Sequence, residues 1–341
     1  MSVGPLRRLL ATLTAGATTA VVRGALDAQT PGGQERWTRT NHRGEPVSML
    51  EGPAVAAGLL AGGVVGAPSA RAAVALAVAT GAAAVVGTVD DLAEDRDRVR
   101  KGLRGHLGAL ARGELTTGGL KVLGIGAAGL VAAALVTPGR TGNSGPRQTA
   151  GRLADVVVSG ALIASSANLL NLLDLRPGRA LKAASLVALP AVVAPGAGGG
   201  VAAAVLGSAG AAVDQDLAEV DMLGDGGANA LGAALGTAMV LTAPRAVRCA
   251  VLAANVGLTL ASERVSFTHV IERTPVLRDL DRWGRRPAPG EVARSRRADA
   301  APAGTRRTGP VVTAPVEPGD PAREGAGRGG GSRDDPGTRT T

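Results

Sequence analysis

Between residues 5 and 262 this chain repeatedly returns to stretches of Ala, Gly, Val and Leu, and short loops carrying Arg and Lys separate them. PAVAAGLLAGGVVGA at 53–67 and GLKVLGIGAAGLVAAALV at 119–136 approach the roughly 20 apolar residues that cross a bilayer as a helix. The recurrence predicts an all-α fold, a polytopic membrane bundle of about nine to ten transmembrane helices followed by a disordered C-terminal tail. Nine spans are read near 5–25, 48–67, 70–89, 118–137, 153–173, 180–195, 198–214, 227–243 and 245–262. With 51 Gly in 341 residues and abundant Ala, such helices can pack through small faces. One Phe, two Trp and no Tyr leave almost no aromatic belt, which weighs mildly against the membrane reading. The first span also resembles a signal peptide, since Arg7 and Arg8 precede a short apolar run. Arg23 follows without a small-residue cleavage site, which favours a retained helix.

The net charge of +9 is carried by loops and tail, without the aromatic interleaving that stacks single-stranded bases. Nucleic acid is therefore not expected as a partner, and anionic membrane lipids are. Nine spans place loops 26–47, 90–117, 174–179 and 215–226 together with the tail on one side. By their Arg and Lys content that side is cytoplasmic, giving a multi-pass protein of the cell membrane. Arg140, Arg147, Arg245 and Arg248 lie on the other side and weaken this assignment. Cys249 is the only cysteine, which excludes an intrachain disulfide or a cysteine metal site.

Three units follow: a transmembrane domain at 1–262, a segment at 263–286 and a basic tail at 287–341. In SERVSFTHVIERTPVLRDLDRWGRRP, Val265, Val270, Ile271, Leu277, Leu280 and Trp283 alternate with charges, as in an interfacial amphipathic helix. A helix packed under the bundle fits the same pattern equally. The tail is rich in Pro, Gly, Arg, Thr and Asp without apolar periodicity.

Polar residues at the span ends carry the chemistry. Asp90 and Asp91 close AVALAVATGAAAVVGTV; adjacent carboxylates at a helix end suit Mg²⁺, although a solvated helix end is the more common explanation. Asn168 and Asn171 in NLLNLLD lie one turn apart and Asp174 continues their face, where interhelical amide bonding is the alternative. In MLGDGGANALGAALG, Gly224, Gly226 and Gly227 permit close backbone approach, and Asp225 stands where a helix N-terminus favours phosphate. Arg176, Arg179 and Lys182 beside Asp174 favour a phosphate ligand.

The order DD, NxxNxxD, GDxG resembles the polyprenyl-phosphate N-acetylhexosamine-1-phosphate transferase superfamily, which includes the phospho-N-acetylmuramoyl-pentapeptide transferases, over about residues 36–262. Lys121 in TTGGLK is similar to the lysine opening the helix after the family's DD loop, and RTNHRGEPVSMLEGPAVAAG at 39–58 to its first cytoplasmic loop. The resemblance implies Mg²⁺-dependent transfer of a phospho-sugar from a UDP-sugar to polyprenyl phosphate, with release of UMP, in peptidoglycan or envelope polysaccharide synthesis. It implies Asp91 and Asp225 as metal ligands, and Asp90 as base or lipid-phosphate positioner. Lys121 would contact phosphate, with Asn168, Asn171, Asp174, Arg176 and Arg179 around the nucleotide and its phosphates. A homodimer is left open. The chain departs from the family where DGxDG becomes Asp174-Leu175-Arg176-Pro177-Gly178, where Ala228 replaces the Ser of GDxGS, and where His269 alone stands for a His-rich loop. A changed donor sugar fits these departures. So does a degenerate member that binds lipid carrier or scaffolds envelope-synthesis partners. A transporter fits less well, because its acids would lie near the bilayer midplane.

Overall fold

Ala and Leu favour helix, and with few polar side chains competing for the backbone the apolar stretches have little alternative to it. The computed structural model describes residues 3–93, 117–137 and 146–287, and helix makes up 79% of it against 3% strand. Along the chain run α1 (Pro5–Ala28), α2 (Gln34–Trp37), β1 (Thr38–Thr40), β2 (Pro46–Ser48), α3 (Glu51–Gly66), α4 (Ala70–Ala93) and α5 (Thr117–Val136). They are followed by α6 (Pro146–Leu173), α7 (Arg179–Val193), α8 (Gly199–Leu217), α9 (Gly224–Thr242), α10 (Arg245–Ser262), α11 (Phe267–Arg273) and α12 (Pro275–Arg282). The described chain forms a compact unit ending at Pro287, and the tail expected beyond it lies outside the described residues.

The bundle is built around α9, which packs against α3, α4, α6 and α8 and buries nearly every residue from Gly224 to Ala238. Its interior is mostly Ala with some Leu and Val, whereas Leu6, Leu9, Leu13, Leu130, Leu153 and Leu186 point outward. Small residues inside and large apolar ones outside is the arrangement of helices whose solvent is lipid. Four helices, α1, α4, α5 and α6, are long and apolar enough to cross a membrane, and α10 with α11 makes a fifth if that pair, bent by 99°, is one span. Each of the nine expected segments is helical, but nine spans exceed what length and composition support. The shortfall lies partly in the interior: α3 has 16 residues, about 24 Å of helix, against a hydrocarbon core of about 30 Å.

Glycine sets how closely α4 approaches α9. A Cβ at Gly87 would lie 2.4 Å from the carbonyl oxygen of Asp225, and one at Gly226 would lie 2.3 Å from the Thr88 hydroxyl. The contact at Gly87 is with backbone, which cannot swing away. Gly87→Val should therefore separate the two helices, lowering the thermal midpoint of the detergent-solubilised protein by an overpacking cost of about 1–3 kcal/mol. Gly81→Ala, in open space on the same helix, should leave the midpoint unchanged or higher.

At one end of the bundle the loop after α1 forms a small cap. Strands β1 and β2 pair antiparallel, Thr38 opposite Ser48, and Ser48 bridges to Asp221 before α9. Trp37, Met49 and Leu50 pack with Leu26, Leu92 and Met222, and Arg39 donates to the carbonyl of Asp91 at 2.6 Å. Arg23 grips Asp221 through two 2.7 Å bonds, and Arg43 holds Glu219 at 2.8 Å. The cap thus fixes the C-terminal end of α4 against the N-terminal end of α9, where the polar motifs meet.

Candidate functional site

The acids of the three motifs assemble at the capped end, but with different duties. Asp91 turns inward and accepts the backbone N–H groups of Asp225 at 3.0 Å and Gly226 at 2.9 Å. It satisfies two of the donors that a helix N-terminus leaves open, so it acts as a cap for α9. Gly224, at φ 63°, makes the turn that brings those donors onto Asp91. Asp90, one residue earlier, faces a cleft of about 450 Å³. Lys121 at the start of α5 reaches into that cleft, pairs with Asp225 and lies 3.8 Å from Asp90. The expected carboxylate pair Asp91 and Asp225 is thereby replaced, on the cleft surface, by Asp90 and Asp225.

Asn168 and Asn171 line the cleft from α6. Asn168 also donates to the Thr259 hydroxyl at 3.1 Å, and Asn255 donates to Ser165 and Ser166 at 3.2 Å, so a polar seam joins α6 to α10. Asn229 was not foreseen. Fully buried on α9, it donates to the Asp225 carbonyl at 2.6 Å, and its side-chain oxygen has no partner. Four residues after Asp225 on the same helix, it was visible in the sequence as the second polar group of that face.

Val122, Ile125, Leu172, Val256 and Leu260 form the apolar wall of the cleft, leading away from the Asp90, Lys121 and Asp225 group. Charge at one end and hydrocarbon along the other suits a ligand with a polar head and an apolar chain. On the far side of the bundle, Arg245 and Arg248, which weighed against the charge asymmetry of the loops, pair with Asp155 at 3.3 and 3.8 Å.

The expected nucleotide residues are divided. Asp174 follows α6 and is half-buried by surface, yet its carboxyl is set among Asp216, Asp225 and Asp91. Burial, then those negative neighbours, hold it well above the usual carboxylate range, and a backbone hydrogen bond from Gly224 only partly offsets them. Arg176, on the turn after it, has no side-chain partner among the described residues. Arg179 does not face the cleft lining: it is 5% exposed and its guanidinium makes 2.7 and 3.2 Å bonds to Asp281 of α12. Arg179, expected at the phosphates, is in this structure engaged with Asp281 and fastens α12 to the start of α7. Among the described residues no group of three or more His, Cys, Asp and Glu is placed to hold a metal ion. Comparison with models of known protein families finds none that matches this chain, and comparison with curated proteins finds no match either.

The raised proton affinity of Asp174 has a stability consequence. As pH rises from about 4, the unfolded chain releases this proton first, so ionisation favours unfolding until the folded carboxyl also titrates; beyond that the penalty is constant. Asp174→Asn should accordingly raise the thermal midpoint at pH 8 and leave it unchanged at about pH 4. A stabilisation equal at both pH values would mean that the gain comes from packing and not from charge.

Proposed function

We propose that the protein is a polytopic membrane transferase of the polyprenyl-phosphate N-acetylhexosamine-1-phosphate transferase type, with nine helices crossing the membrane and the capped end cytoplasmic. The observation that carries this reading is that Asp90, Lys121 and Asp225, far apart in sequence, line one cleft whose remaining wall is apolar. Polyprenyl phosphate matches that division, with its phosphate at Lys121 and its chain along Val256 and Leu260. An oxygen of this phosphate would attack the β-phosphorus of a UDP-sugar; the bond to the bridging oxygen breaks and UMP leaves.

Two carboxylates supplemented by substrate phosphates and the free side-chain oxygen of Asn229 fit an oxygen-preferring cation such as Mg²⁺. When bound, Mg²⁺ supplies charge neutralisation at the phosphates. The chain's own residues do the rest. Asp90 and Asp225 would hold the cation, releasing Lys121 from its ion pair to meet phosphate. Asp91 keeps the α9 N-terminus in place, and Arg176, which is not among the residues lining the cleft, would have to swing toward it to meet the nucleotide.

A second reading, a degenerate member that binds lipid carrier without turnover, is favoured by Pro177 where the family has its second Asp. Membranes containing the protein, given Mg²⁺, polyprenyl phosphate and radiolabelled UDP-N-acetylglucosamine or UDP-muramoyl-pentapeptide, should form a lipid-linked product. Binding of polyprenyl phosphate without product from any UDP-sugar would favour the second reading.

A further inference from the structure

Helix α12 turns a charge inward and leaves its large apolar side chains outside. Asp281 is 8% exposed and accepts from Arg179 and Arg285, while Lys182 donates to the carbonyls of Leu280, Asp281 and Trp283 at 3.2, 2.9 and 2.6 Å. Those last bonds occupy carbonyls that the end of α12 leaves open. The apolar side faces out, with Val276 77% and Trp283 72% exposed and Leu277 and Leu280 beside them. This face continues the outward apolar surface of α10 through Leu260, Val265 and Val270. The 99° bend after α10 turns the chain from along that helix to across it. Arg264 and Arg273, on the same segment, are exposed, and Arg278 is 39% exposed beside Asp279.

A segment lying across the bundle, with large apolar side chains outward and exposed arginines beside them, matches the boundary between acyl chains and anionic headgroups. We propose that α11 and α12 form an interfacial collar: the Arg179–Asp281 pair clamps them to the bundle, and Val276, Leu277, Leu280 and Trp283 enter an anionic lipid surface. Thr259, Leu260, Ser262 and Glu263, immediately before the collar, line the cleft, so seating it in lipid fixes the cleft's rim. This rests on the bundle being membrane-embedded and not on the transferase reading, and its test reads no activity.

Trp37 and Trp283 are the only tryptophans. In the Trp37→Phe protein, reconstituted in phosphatidylglycerol-containing vesicles, Trp283 emission should be blue-shifted. Bromines near the headgroup should quench it more than bromines deep in the acyl chain, consistent with burial of about 5–10 Å. Quenching should weaken in purely zwitterionic vesicles and when Asp281→Asn loosens the clamp. Because Trp37 is buried, the difference between wild-type and Trp283→Phe spectra provides the same reading without altering it. Water-like emission untouched by brominated lipid would overturn the proposal. So would blue-shifted emission that only dilution of the protein in the bilayer reverses, which would put a second copy on this face, or quenching equal in zwitterionic and anionic vesicles.

Discussion

Asp225→Asn should abolish lipid-linked product, lowering turnover by about a hundredfold or more, the scale on which groups that stabilise developing charge contribute. The substitution removes the carboxylate that both faces the cleft and holds Lys121. Asp91→Asn should behave differently. An asparagine at 91 can still accept one of the two N–H bonds from Asp225 and Gly226, but its amide nitrogen cannot accept the other. The expected loss is that of a weakened cap, about 0.5–2 kcal/mol of stability, with turnover reduced far less than by Asp225→Asn. Initial rates together with thermal midpoints separate the two roles. If Asp91→Asn is as inactive as Asp225→Asn while its midpoint is unchanged, Asp91 is a ligand of the reacting group and the capping assignment fails. Asp90→Asn, on the cleft side, should resemble Asp225→Asn in rate and leave the midpoint in place.

The contrast between Asp90 and Asp91 marks where the sequence stops being legible. Two adjacent carboxylates at a helix end can be found by eye, but consecutive residues diverge by about 100° around the axis, so only one of them turns fully toward any given neighbour. The rotation of α4 decides which, and Gly87 decides the rotation by sitting against the Asp225 carbonyl. Asp91, one turn after Gly87, shares its face and reaches the start of α9. A small residue four positions before an acid is thus the readable signal for an inward-turned cap. The helices themselves were legible because an apolar run has few alternatives. Their count as membrane spans was not: the central helix α9 and its neighbour α3 are surrounded by protein, and composition no longer tells interior helix from lipid-facing helix. Glu51 shows the same limit. It opens α3 as an ordinary first-turn acid in the sequence, yet it is 2% exposed with neither carboxylate oxygen partnered.

Arg179 sits away from its expected place for a physical reason of the same kind, and its pairing with Asp281 yields the second large effect. A basic cluster beside Asp174 looks like a phosphate site until the partner arrives from residue 281, about a hundred positions later. Breaking a buried pair from one side leaves an uncompensated charge, which costs about 3–5 kcal/mol. The two sides are not equivalent here. Arg179→Met leaves Asp281 with Arg285 at 2.6 Å, so part of the penalty is absorbed. Asp281→Leu leaves Arg179 buried with the Thr268 hydroxyl at 3.1 Å and with Lys182 and Arg285 nearby as like charges. Asp281→Leu should therefore lower the thermal midpoint more than Arg179→Met, and the double variant should recover much of the loss, since hydrophobic replacement of a buried pair is often neutral or better. In whatever fraction of Arg179→Met folds, the KM for the UDP-sugar should be unchanged. A raised KM with an unchanged midpoint would return Arg179 to the nucleotide and remove it from the clamp.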